Sequence, residues 1–90
     1  MLPYNEVMAT IRVRLFAGLH QMIGEREIDL DVSDGATVSD LRDALGERYP
    51  HVRAFLPTLV AAIDEDYVPI THVLHDGDRV ALIPPVSGGA

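Results

Sequence analysis

Ninety residues, of which 48% are hydrophobic and 23% charged, make one small domain, too apolar to stay disordered and too interrupted by charge to span a membrane. The absence of cysteine excludes a disulfide staple, a thiolate zinc site and a cysteine nucleophile, and it fits a reducing compartment. The formal charge of −7 argues against a nucleic-acid or anionic-membrane surface and for a basic protein partner; every basic residue is an arginine, so lysine chemistry is excluded as well.

Residues 1–9 show no period and no signal-peptide pattern; they are expected to be a frayed extension, with Met8 a candidate original start. From residue 10 the chain alternates: Ile11, Val13 and Leu15 to one side, Arg12 and Arg14 to the other, which predicts a half-buried strand over 10–16. Phe16 falls on the polar side, where an aromatic needs a reason. Leu19, Met22 and Ile23 have helical spacing ahead of Gly24, a C-terminal cap residue. Residues 25–32 alternate again, with Ile28, Leu30 and Val32 inward and Glu27, Asp29 and Asp31 outward. The two strands are expected to pair antiparallel.

Ser33-Asp34-Gly35 reads as a turn, and Thr37 with Asp40 as an N-cap opening a helix over 38–49. Val38, Leu41, Leu45 and Tyr49 form its apolar stripe, and Pro50 ends it. Gly46 inside costs about 1 kcal/mol against alanine, so this helix must rely on packing. Residues 52–57 are expected to be an irregular turn that drops Phe55 and Leu56 into the core. The apolar run 58–63 predicts a strand buried on both faces. An acidic turn at 64–66, a short strand at Tyr67-Val68, a tight turn at 76–78 and a last strand over 79–83 complete the pattern. Strand, strand, helix, strand, short strand, strand is an α+β plan.

The C-terminal run is the most unusual feature. Pro84 and Pro85 stiffen the chain, and Ser87-Gly88-Gly89 carries almost no side chain. Residues 84–89 span about 20 Å when extended. A glycine pair suits threading into a narrow channel, because without Cβ it takes any backbone angle. The chemistry such a tail serves is carboxylate activation: joining the carboxylate to AMP creates a leaving group that sulfur displaces.

The ALIPPVSGG run, the DGDRVA before it, the strand-final RLFA and the Gly24-x-x-Glu27 step together resemble the molybdopterin synthase small-subunit family of ubiquitin-like sulfur carriers, over residues 10–89. The resemblance implies a ubiquitin-like β-grasp domain over 10–83, a mixed sheet on one main helix, with a flexible tail over 84–90. It implies adenylation of the Gly89 carboxylate by an ATP-dependent activating enzyme and conversion to a thiocarboxylate by a sulfur donor. The small subunit then docks on a large subunit, inserts its tail and passes sulfur to cyclic pyranopterin monophosphate, within a cytoplasmic heterotetramer. By the same resemblance Gly89 carries the reactive carboxyl, Pro85, Val86, Ser87 and Gly88 form the threaded segment, and Phe16 and Ile83 are docking residues. The chain alone would not turn over and would hold no permanent cofactor, ATP being used by the activating enzyme. No nucleic-acid or membrane partner is implied.

Two departures stand out. His20-Gln21 replaces the family's usual Arg-Glu pair. Ala90 follows Gly89, and while it is attached the Gly89 carbonyl is an amide that cannot be adenylated; removal of Ala90 is therefore expected. His72 and His75, followed by Asp76 and Asp78, read as a surface turn, so no metal site is expected. A ubiquitin-like protein modifier, joined through Gly89 to a target amine, is the alternative from another class. A third reading is a sulfur carrier for thiamine, cysteine or tRNA thiolation.

Overall fold

The structure is a computed structural model that describes residues 8–84. Strand β1 (Met8–Leu15) is followed by helix α1 (Ala17–Ile23), strand β2 (Glu27–Ser33) and helix α2 (Val38–Arg48). A 3₁₀ helix (Pro50–Thr58) then leads to β3 (Val60–Ile63), β4 (Asp66–Val68) and β5 (Arg79–Ile83). The strands form one mixed sheet in the order β2-β1-β5-β3-β4. β1 runs antiparallel to β2 and parallel to β5, with Val13 opposite Ile28 and Val80. A mixed sheet with the first and last strands side by side, gripping one main helix, is the β-grasp arrangement.

Alternation sets the two faces of the sheet. Ile11, Val13, Val80 and Leu82 point inward and are fully buried against Leu41 and Leu45 of α2. Burying each such side chain is worth about 1.5–3 kcal/mol. Helix α2 is held at its start by a complete capping box: the Asp40 N–H donates to Thr37 Oγ1, and the Thr37 N–H donates to Asp40 Oδ2 at 2.9 Å. The next N–H groups donate to the loop before β5, Val38 to His72 O and Ser39 to Ile70 O. The orphan donors of this helix end are thus satisfied within the chain. Gly24 closes α1 at φ 87°, a left-handed angle that favours glycine, with its N–H donating to His20 O.

Three local expectations are corrected. Met8 and Ala9 belong to β1, not to a frayed extension. Ala9 is in phase with Ile11, pairs with Val32 and is buried, its small side chain hiding the period. The segment 50–58 is helical, so the neighbours Phe55 and Leu56 cannot both face inward. Leu56 is buried and Phe55 is 51% exposed. Its partner in the packing is Gly46, where an added Cβ would lie 3.0 Å from Leu56 Cδ1 and 3.2 Å from Arg53 Cγ. The apolar run 58–63 is only partly buried on its outer face: Ala62 is buried but Val60 is 38% exposed, and no layer of the described structure covers that face.

Candidate partner-docking face

The outer face carries the residues that the sheet leaves unused by the core. Pairing aligns one row across all five strands: Glu27, Arg14, Ala81, Ala62 and Tyr67. Beside it, Val60 pairs with Ile83, and Arg12 lies between Asp29 and Arg79. The face therefore divides into a charged half on β2 and β1 and an apolar half toward β3 and β4.

The charged half is internally paired. Arg12 donates to Asp29 through Nε at 3.0 Å and Nη2 at 3.4 Å, and its Nη1 lies 3.9 Å from Glu27. Arg14 Nε lies 3.5 Å from the same glutamate. The hydrogen bond from Arg12 holds the Asp29 carboxyl below its ordinary value, and the same bond raises the Arg12 guanidinium.

The apolar half has no such partners. Phe16 and Ile83 are each partly exposed and line one hollow of about 340 Å³ with Ala62 and Ala81, rimmed by the charged Arg14, Glu27, Asp64, Glu65 and Arg79. Leu82 pairs with Leu15, which brings the residues that follow them, Ile83 and Phe16, to the same end of the sheet. The Arg14 guanidinium sits 5.3 Å from the Phe16 ring centroid, a cation–π contact that braces the ring from the charged side. Ala17, directly after Phe16, has φ 49°, left-handed for a residue with a Cβ. The chain thus turns sharply directly after Phe16 and accepts strain there.

The structure thus brings Phe16 and Ile83, the two residues the resemblance implied, to one hollow. It adds two residues that the sequence reading missed, Val60 and Tyr67, the latter 73% exposed. An apolar run on a strand with no second layer to cover it was the available signal. Pro85, Val86, Ser87, Gly88, Gly89 and Ala90 lie outside the described residues. Their point of departure does not: β5 ends at Ile83, and Pro84 follows it at the edge of the apolar half. His75 Nδ1 lies 3.9 Å from the Asp78 carboxylate, within the turn before β5.

No helix among the described residues is long and apolar enough to cross a membrane. The model of the ThiS family matches residues 13–89. A molybdopterin synthase sulfur carrier subunit of Chlamydomonas reinhardtii is 36% identical over 81 residues, covering 88% of this chain and 98% of that protein. Among solved structures, the small archaeal modifier protein 1 of Haloferax volcanii has a TM-score of 0.79 at 28% identity, covering 87% of this chain and 99% of the other. A structure of the complex of subunits 1 and 2 of the molybdopterin-converting factor from Helicobacter pylori matches with a TM-score of 0.61 at 25% identity, over 89% of this chain and 99% of the other. With the β-grasp sheet described above and a family match that runs over residues 13–89, the chain belongs to the ThiS family.

Proposed function

We propose that this chain is the sulfur-carrier subunit of molybdopterin synthesis. The observation that carries the reading is the apolar half-face of Phe16, Ile83, Val60 and Tyr67, set where β5 hands over to the Gly-Gly run. Exposed apolar area on a small acidic protein marks a partner site. The large subunit covers this face and receives the tail, a reading supported by the likeness to the two-subunit Helicobacter pylori complex. Gly89, once Ala90 is removed, is adenylated by a cytoplasmic ATP-dependent activating enzyme. The sulfur donor displaces AMP and leaves a thiocarboxylate. In the large subunit that sulfur passes to cyclic pyranopterin monophosphate, and two charged tails complete one dithiolene. The catalytic base and the pterin-binding groups belong to the large subunit. This chain supplies the sulfur, the threading segment Pro85–Gly88 and the docking face.

The test is to mix thiocarboxylated chain with large subunit and cyclic pyranopterin monophosphate. Formation of the dithiolene, with return of the chain to its carboxylate mass, supports the reading; an unchanged thiocarboxylate contradicts it. The likeness to the archaeal modifier protein favours a second reading, attachment of Gly89 to a target amine. The two share fold and activation and part at the acceptor. Conjugates to partner lysines in the same mixture would select the second.

A further inference from the structure

We infer that the free edge of β2 is a second docking site, one that takes an extended, arginine- or lysine-rich segment of a partner protein as an added strand. It is independent of the sulfur-carrier reading and lies at the opposite side of the sheet from Tyr67, since β2 and β4 are the two edges of the sheet among the described residues. The backbone hydrogen bonds fix which groups face outward. Leu15 N–H donates to Arg26 O, so the odd residues of β1 bond to β2. Arg12 N–H donates to Asp78 O and Thr10 O accepts from Gly77 N–H, so the even residues bond on the β5 side. In an antiparallel pair this alternation leaves the partners of the even residues unbonded to β1. Those partners are Glu27, Asp29 and Asp31, and their N–H and C=O groups point to the open edge. The Asp29 carbonyl shows this outward direction, since it accepts from Arg48 Nη1 of α2 at 3.0 Å, and an added strand displaces that arginine to bond there.

The surroundings select the occupant. A groove of about 520 Å³ runs between the end of β2 and α2, with Val32 and Ala44 among its apolar lining. Asp34, Asp43 and Glu47 line it, and none has an ion-pair partner among the described residues. A strand laid on the β2 edge would send alternate side chains into this groove and the others beside Asp29 and Asp31 on the outer face. On the outer face Asp29 is held by Arg12 and Asp31 accepts from Thr10 Oγ1, whereas the groove carboxylates have no ion-pair partner among the described residues, so basic residues fit at the alternate, groove-facing positions. A second copy of this chain does not fit, because it would oppose the same carboxylates at a net charge of −7.

The experiment titrates the full-length, ¹⁵N-labelled chain with a peptide of alternating arginine and valine. The comparison peptide is N-methylated on the residues that would bond to β2. The inference expects saturable shifts at Asp29, Asp31 and the α2 groove, with slowed hydrogen exchange at the Asp29 and Asp31 amides. N-methylation should weaken binding by about tenfold, since the strand bonds are lost. The exposed Asp43→Arg and Glu47→Arg changes together should weaken it by about tenfold through charge, with the melting temperature checking that the fold is kept. Equal binding of the N-methylated peptide would overturn the inference, as would shifts confined to Phe16 and Ile83, indifference to the charge reversal, or no binding at all.

Discussion

The two halves of the outer sheet face share one backbone and differ in what their side chains have to bond to. On β1 and β2, Arg12, Arg14, Glu27 and Asp29 satisfy one another in a lattice of contacts between 3.0 and 3.9 Å. On β5, β3 and β4, the same face shows Ile83, Val60 and Tyr67, with no covering layer among the described residues. The charged side chains of the first half have their partners within the sheet. The second leaves apolar area in water and lies where the tail departs. A sheet face can therefore be exposed on both halves and still differ in how far its own side chains satisfy one another.

Breaking the apolar half should have the largest effect. Ile83→Asp puts a charge at its centre, and large-subunit affinity should fall by about 100-fold or more, measured by calorimetry. An unchanged affinity would move the docking site elsewhere. Gly46→Val tests the fold apart from the face. The added side chain meets Leu56 and Arg53 within the α2 packing, so stability should drop by about 1–3 kcal/mol in denaturant melts. Affinity per folded molecule should hold. Tyr67→Ala sharpens the boundary of the apolar half. About tenfold weaker binding with unchanged stability would carry the interface out to β4; no change would confine it to Phe16 and Ile83.

The charged half should respond least. Asp29→Asn removes a carboxyl held below its ordinary value of 3.8 by the hydrogen bond from Arg12. A depressed carboxyl contributes stability above its unfolded value and loses it as pH falls through the folded one. The small difference in melting temperature between parent and variant should therefore be present at neutral pH and close in the window below 3.8. Arg12, raised by the same bond, stays charged throughout and adds no break of its own. Large-subunit affinity should not change. A large affinity loss in Asp29→Asn would erase the distinction between the halves.

How much of this was legible in the sequence follows from where the period was strong. β1 and β2 alternate apolar with charged residues because one face is buried and the other meets water and its own ion pairs. Thr37 with Asp40, and Gly24, announced their helix ends because caps need particular side chains and angles. Ala9 was missed because a small residue carries little periodic signal. Phe55 was misplaced because a proline-bounded segment that looks irregular is a 3₁₀ helix, where only one of two adjacent apolar residues can face the core. Val60 escaped because an apolar run reads the same whether a second layer or a partner covers it, and Tyr67 because a three-residue strand has no period to assign its face. Phe16 and Ile83 came from the resemblance, aided by the one aromatic on the polar side of an alternating strand. The open β2 edge has no sequence signature, because strand order is a property of the assembled sheet.

The central claim, that the Gly89 carboxyl carries the sulfur, is tested most directly by intact mass. Chains ending at Gly89 and at Ala90 are incubated with the activating enzyme, ATP and a sulfur source. Replacing one oxygen by sulfur should add about 16 Da to the Gly89 form. The Ala90 form, with its carboxylate displaced about 3.5 Å along the chain and a methyl group beside it, should stay unmodified. An equal gain on the Ala90 form without loss of Ala90, or no gain on the Gly89 form, would contradict the account.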